Sequence, residues 1–333
     1  MTTCLKHSLS RRHLLSYAVV TVGCLTMKVG RSRSEDVEAA GFELDPTWPA
    51  EYPGPLQEPC QVAGVAVDGD GRILVLNRGE NHWMPGTGFR QERIQKPAML
   101  VFDSQTGRVV DSWGEDLFVM PHQISVDRSG HIWIVDCGQD KVFKFDPAGT
   151  LLMQVGGAEI GFRKPTDAVV FRDGSFAISD GYTNSRVAVF NADGRLIHAW
   201  GQKGKGSLEF QTPHSIACDE DELIYIADRE NHRVQILTRK GEVHSVWTHV
   251  ERPLTIRYAA GSIYVLSNLD ADKGIVRQFD RNGELLTSFR TRPSGSSEDY
   301  EWPHGLAVND DGSQVYVGFT LTGRRVHRYR RLS

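Results

Sequence analysis

Six stretches of this chain carry one pattern, and that repetition limits the fold more than any other feature. They begin "AGVAVDGDGRILVLNRG" at Ala63, "HQISVDRSGHIWIVDCG" at His122, "TDAVVFRDGSFAISDGY" at Thr166, "HSIACDEDELIYIADRE" at His214, "LTIRYAAGSIYVLSNLD" at Leu254 and "HGLAVNDDGSQVYVGFT" at His304. In each, an alternating apolar run leads through a polar turn to a second run rich in β-branched and aromatic residues. A third run such as "RVAVFN" and a fourth such as "LIHAWG" complete the unit. Period-two alternation with short turns denotes antiparallel strands in a meander. Four strands per unit over six units make an all-β, six-bladed β-propeller spanning 42–333. The last unit, ending "RRVHRYRRLS", stops after its third strand. A segment near Phe42–Leu44 is expected to supply the fourth, closing the ring and covering an exposed edge.

The chain before the repeats reads differently. "SRRHLLSYAVVTVGCLTM" sets Arg11 and Arg12 before a short apolar run from Leu14 to Met27. That order is that of an export signal, and Ser-Arg-Arg-x-Leu-Leu is of the twin-arginine kind. Residues 1–30 are read as the signal and 31–41 as a polar linker, which predicts a periplasmic or extracellular protein. No run reaches the roughly 18 apolar residues of a spanning helix. A membrane tether would require lipidation of Cys24 in "TVGC", where Thr21 is a poor lipobox residue. The formal net charge of −4 argues against nucleic acid as a partner. Cys60, Cys137 and Cys218 lie in the repeats, an odd number that allows one disulfide beside a free thiol and leaves the pairing open. There is no Cys-x-x-Cys, so a cysteine zinc site is not indicated.

In a propeller blade the start of the first strand and the loop after the second share a face, and the first strand lines the central channel. The slot just before the first strand holds Ala63, His122, Thr166, His214, Leu254 and His304, and Pro121, Pro213 and Pro303 precede the histidines. Histidine in alternate blades places three imidazoles about 120° apart around the axis, the donor set of a zinc centre with an open fourth position. In the second slot, the loop after strand two, Asp136, Asp180 and Asp228 recur and read as turn caps. Arg78, Tyr182 and Arg229 do not recur. Two cations and a phenol beside three histidines suit an anionic substrate held at a metal.

These residues carry a resemblance. "GVAVDGDGRILVLNRGENHW", "MPHQISVD", "PTDAVV" with "SDGYTNSRV", "FQTPHSIAC" with "IADRENHRVQ", and "WPHGLAV" occur in order over about Leu44 to Tyr329. The chain resembles the peptidyl-α-hydroxyglycine α-amidating lyases, the lyase domain of peptidylglycine α-amidating monooxygenase, built on NHL repeats. The resemblance implies an exported zinc-dependent lyase that breaks the N–Cα bond of a C-terminal α-hydroxyglycine, giving an amide and glyoxylate. It implies zinc on His122, His214 and His304, Tyr182 as the base for the substrate hydroxyl, Arg78 at the carboxylate, and Arg229 as a further arginine of the active face. It also implies a calcium ion held by the backbone carbonyls of Val65 and Ile124 and by a carboxylate directly after the third histidine. That position is Gly305 here, so calcium is not expected. Thr183 stands where the family has a disulfide cysteine. These 333 residues also lack the copper monooxygenase domain that makes the hydroxyglycine. Another protein then supplies that substrate, or the site takes a related small-molecule or peptide carbinolamide.

Two other readings fit the repeats. One is a non-catalytic NHL propeller that binds a protein or glycan. The other is a propeller hydrolase such as a calcium lactonase, which calls for an Asp, Glu and Asn cluster at the channel and not histidines.

Overall fold

The computed structural model of the chain describes residues 41–49, 60–84, 86–268, 274–291, 301–321 and 325–332. The signal read over 1–30, with Cys4 and Cys24, lies outside the described residues, as does the linker apart from Gly41.

Apolar alternation along each run becomes a strand because one side of the pleat can then be buried. The strands assemble into six four-stranded antiparallel sheets. Blade one is Val62–Val67, Ile73–Asn77, Met99–Phe102 and Val109–Trp113. Blade two is Pro121–Val126, Ile132–Asp136, Lys141–Phe145 and Leu151–Gly156. Blades three, four and five begin with Asp167–Val170, Pro213–Cys218 and Pro253–Ala259. Blade six contains Glu301–Val308, Gln314–Leu321 and Val326–Arg331, and its fourth strand is Phe42–Leu44. Phe42 pairs with Arg331 and Leu44 with Tyr329, so the ring closes as the truncated last repeat demands.

The core is divided among the blade boundaries. Trp133 of blade two meets Phe176 of blade three at 4.7 Å between ring centroids, and the surrounding cluster draws on both blades. Comparable clusters join the other neighbours around the ring. Fully burying one such side chain contributes about 1.5–3 kcal/mol. Turns between first and second strands are set by a recurring acid. Asp127 Oδ1 accepts from the Ser129 and His131 amides at 2.9 and 3.0 Å, and Asp68 Oδ1 does the same for Asp70 and Arg72.

The histidine slot differs in one respect from the expectation. It lies inside the first strand, at a β-bulge. Pairing slips between Pro121 and Gln123, between Pro213 and Ser215, and between Pro303 and Gly305. Blades one and five slip at Ala63 and Leu254 as well. A bulged residue has no cross-strand partner and its side chain is re-aimed. Each histidine and the residue after it therefore both reach the channel.

Candidate metal centre and active face

His122, His214 and His304 are buried and face one another across the axis. Their ring centroids lie 4.8, 4.8 and 5.2 Å apart, and their ligand atoms all fall within 4.8 Å of one another. Each ring is locked by the next blade. Nδ1 of His122 donates to the Thr166 carbonyl at 2.6 Å, Nδ1 of His214 to the Leu254 carbonyl at 2.7 Å, and Nδ1 of His304 to the Ala63 carbonyl at 2.6 Å. A carbonyl only accepts, so Nδ1 carries the proton and Nε2 is left as a lone-pair donor. The acceptors are the slot residues of blades three, five and one, which explains why those slots need no side-chain chemistry of their own.

Burial drives all three imidazoles toward the neutral form. His122 and His214 are held well below the usual histidine range by desolvation, helped by Arg78 and Arg229 nearby. Desolvation brings His304 down to about 3. The Tyr182 hydroxyl lies 2.9 Å from Nε2 of His122 and 3.0 Å from Nε2 of His214. One phenol proton thus faces two lone pairs, while His304 adds a third. Such a proton-poor, donor-rich cluster fits a bound cation, and neutral imidazoles suit a divalent transition metal.

Tyr182 reaches this position because its loop lies flat on blade four. A Cβ on Gly181 would sit 2.0 Å from the Pro213 carbonyl oxygen, so only glycine permits the approach. Burial raises the Tyr182 phenol above its ordinary value, and Arg229 and Arg78 pull it back. The Arg229 guanidinium lies 5.5 Å from the Tyr182 ring centroid and pairs with Glu230 at 2.7 Å. It stands on a single 3-10 turn, Arg229–Asn231.

Arg78 is the opposite case, a buried cation whose direct hydrogen-bond partners are neutral, with the Asp136 carboxylate acting on it from further off. It donates to the Pro121 carbonyl at 3.2 Å, to Gln61 Oε1 at 3.0 Å and to Thr320 Oγ1 at 3.4 Å. Among the described residues it has no ion pair, and burial presses its pKa down. An uncompensated buried guanidinium is costly, and an incoming carboxylate would relieve it.

The recurring acids behave as caps. Asp136 accepts from the amides of Val119, Met120, Gly138 and Gln139, Asp180 from Arg163 N, Asn184 and Arg186, and Asp228 from Gln211 N, Asn231 and Arg233. Cys137 and Cys218 are free thiols, so the disulfide that the odd count allowed does not form among the three repeat cysteines.

Several active-face residues escaped the repeat-by-repeat reading. The connection 78–98 in blade one is far longer than its counterpart 137–140 in blade two. It carries Trp83, whose ring lies 4.9 Å from Tyr182 and 5.2 Å from Phe89. The Lys164 ammonium stands 5.6 Å from Trp83 and 5.4 Å from Phe89. Gln61 fixes the loop by accepting from Trp83 N at 3.0 Å while it accepts from Arg78. The length of the insertion was the available signal, since a loop that departs from its repeat is a candidate for function.

Comparison with known proteins places this geometry in a family. The NHL repeat family matches residues 210–237. Peptidyl-alpha-hydroxyglycine alpha-amidating lyase 2 of Drosophila melanogaster is 32% identical over 295 residues, covering 80% of this chain and 70% of that protein. The chain belongs to the peptidyl-α-hydroxyglycine α-amidating lyase family. Rat peptidylglycine alpha-amidating monooxygenase is 31% identical over 320 residues, covering 84% of this lyase-family chain and 32% of its own length. The chain thus spans about a third of the length of the vertebrate monooxygenases it matches. Among solved structures, a streptogramin B lyase aligns with a TM-score of 0.57 at 14% identity, over 87% of this chain and 98% of that one. A gluconolactonase from Xanthomonas campestris aligns at 0.58 and 16% identity, over 81% and 86%. At those identities the likeness is one of fold.

The calcium that the lyase family implies does not fit the residues present. The Ile124 carbonyl accepts from Arg257 Nη2 at 3.2 Å. Gly305 offers no carboxylate, and a Cβ there would lie 3.0 Å from the Gly64 Cα of blade one. A hard cation would meet a guanidinium, and the nearby Asp167 carboxylate is already paired with that guanidinium at 2.8 Å.

Proposed function

We propose that this chain is a zinc-dependent lyase that cleaves the N–Cα bond of an N-acyl α-hydroxyglycine, releasing an amide and glyoxylate. The supporting observation is the alternate-blade cluster of His122, His214 and His304 with the Tyr182 hydroxyl at 2.9 and 3.0 Å and a buried Arg78 that makes no direct ion pair among the described residues.

His122, His214 and His304 would hold the metal through Nε2. When bound there, zinc supplies Lewis acidity toward the substrate hydroxyl and lowers the pKa of nearby acids, Tyr182 included. Arg78 receives the carboxylate through its planar fork and keeps it as glyoxylate departs. Tyr182, as phenolate, takes the hydroxyl proton. The C–O bond becomes a carbonyl as the N–Cα bond breaks, and the electron pair goes to nitrogen. That nitrogen needs one proton, and Tyr182 has just gained one, so the same oxygen serves both ends of the cleavage. Trp83 and Phe89 form an apolar wall beside Tyr182, suited to the acyl portion. A purely adhesive propeller would have no use for an unpaired guanidinium in its interior.

The test is metal analysis of the purified full chain with an assay on α-hydroxyhippurate. About one zinc per chain and release of glyoxylate with benzamide are expected. Absence of both bound zinc and glyoxylate release would overturn the reading. We also propose that residues 1–30 direct export, on the strength of the Arg11-Arg12 motif. A reporter fused behind them and retained in the cytoplasm would refute that.

A further inference from the structure

The residues directly after the slots form a second ring beneath the histidines, with side chains at Gln123, Asp167, Ser215 and Thr255 and none at Gly64 and Gly305. Three positions after the slot stand Ala66, Ser125, Val169, Ala217, Arg257 and Ala307. Five are small or medium and one is arginine, so the lower channel has room for a single long cation.

Arg257 of blade five uses that room. Its Nη1 donates to Asp167 Oδ2 of blade three at 2.8 Å, to Ser215 Oγ of blade four at 3.2 Å and to its neighbour's carbonyl, Ile256 O, at 2.8 Å. Its Nη2 donates to Gln123 Oε1 and the Ile124 carbonyl of blade two at 3.1 and 3.2 Å. Ser215 Oγ donates to the same Asp167 oxygen at 2.6 Å. Gln123 Nε2 passes on to Thr255 Oγ1 at 3.0 Å and to the His304 carbonyl at 3.3 Å, and Thr255 bonds that carbonyl at 2.6 Å. One guanidinium therefore ties blades two to five, and its neighbours reach the strand that carries His304. Below it a cavity of about 480 Å³ opens at the opposite mouth, lined by Arg128, Cys218 and Arg257 and by none of the three histidines.

We infer that Arg257 is the structural cation of this channel, doing with a covalently attached charge what a bound divalent ion would do for a ring of inward-facing oxygens. Asp167, 1% exposed at its side chain, is the charge it neutralises. On blades six and one, where a carboxylate ligand would be needed, the slots are followed by Gly305 and Gly64, and a Cβ on Gly305 would press on the Gly64 backbone at 3.0 Å. The ring's integrity is then independent of calcium. This inference does not depend on the reaction proposed above.

Thermal unfolding of the full chain tests it in two arms. Stripped of metal and then given calcium chloride, the wild type should unfold at an unchanged temperature. A calcium-dependent rise of several degrees would overturn the inference, because any ion that binds only the folded state raises its stability. In the second arm, Arg257→Met strands a buried carboxylate and should lower the midpoint by about 5–10 °C. Adding Asp167→Asn should recover most of that loss, since it removes the stranded charge. If Arg257→Met does not fold, Arg257→Lys, which keeps a cation, should fold with a smaller loss. A midpoint in either single variant equal to wild type would also overturn the inference.

Discussion

The Tyr182 hydroxyl lies 2.9 Å from Nε2 of His122, a residue that comes from a different blade and whose Nδ1 proton is already given to the Thr166 carbonyl. The phenol is therefore a neighbour of the candidate ligand atoms and not a ligand that the cluster needs.

Replacing Tyr182 by Phe should keep the metal and lower turnover of α-hydroxyhippurate by about 100-fold or more, the scale of a lost acid–base group. Zinc content and kcat measured on the same preparation check this. Full turnover in the variant would remove Tyr182 from the proton path.

Gly181→Ala should mimic that loss without touching the phenol. The new methyl collides with the Pro213 carbonyl oxygen and pushes the Tyr182 loop away from the histidines. Reduced kcat with retained zinc is expected. Unimpaired kcat would show that the hydroxyl need not sit so close.

Arg78→Lys should be nearly as harmful as Arg78→Ala in kcat/KM. A point charge cannot present two parallel donors to a carboxylate, and the Pro121 and Gln61 contacts that aim the guanidinium are lost either way. Near-normal kcat/KM for the lysine variant would contradict carboxylate recognition by a fork.

The three imidazoles also make the metal-free fold sensitive to acid. Their folded pKa values lie below the unfolded one, about 3 for His304, so the unfolded chain binds more protons as pH falls. Their contribution is fully present above about pH 6.5 and is lost as pH falls toward 3. By pH 5 His304 alone has lost about 2 kcal/mol of its contribution. The urea midpoint of the metal-free chain should fall between pH 7.5 and pH 5, and fall less in His304→Gln. An equal fall in both proteins would mean that His304 is not held neutral.

The ring and its closure were legible because strand alternation and turn chemistry repeat six times, and a truncated sixth copy points to an outside strand. The histidine triad was legible for the same reason: alternation among aligned slots becomes threefold geometry around an axis. What aims the rings was not. Bulges at Pro121–Gln123 and its equivalents depend on how two strands pair, and no single strand states that. Arg257 stood in plain view as the one long residue among Ala66, Ser125, Val169, Ala217 and Ala307. Its partners, though, come from three other blades, and only the closed ring brings them together. Trp83 and Lys164 belong to the same class, since they meet across a blade boundary.

His304 sits on the sheet stitched from residues 42–44 and 301–331. The first two ligands belong to blades whose strands leave the ribosome consecutively, whereas the third is anchored only after the two ends of the propeller have found each other. The three imidazoles therefore form one cluster only when the strand at 42–44 and the strand at 326–331 have closed the ring.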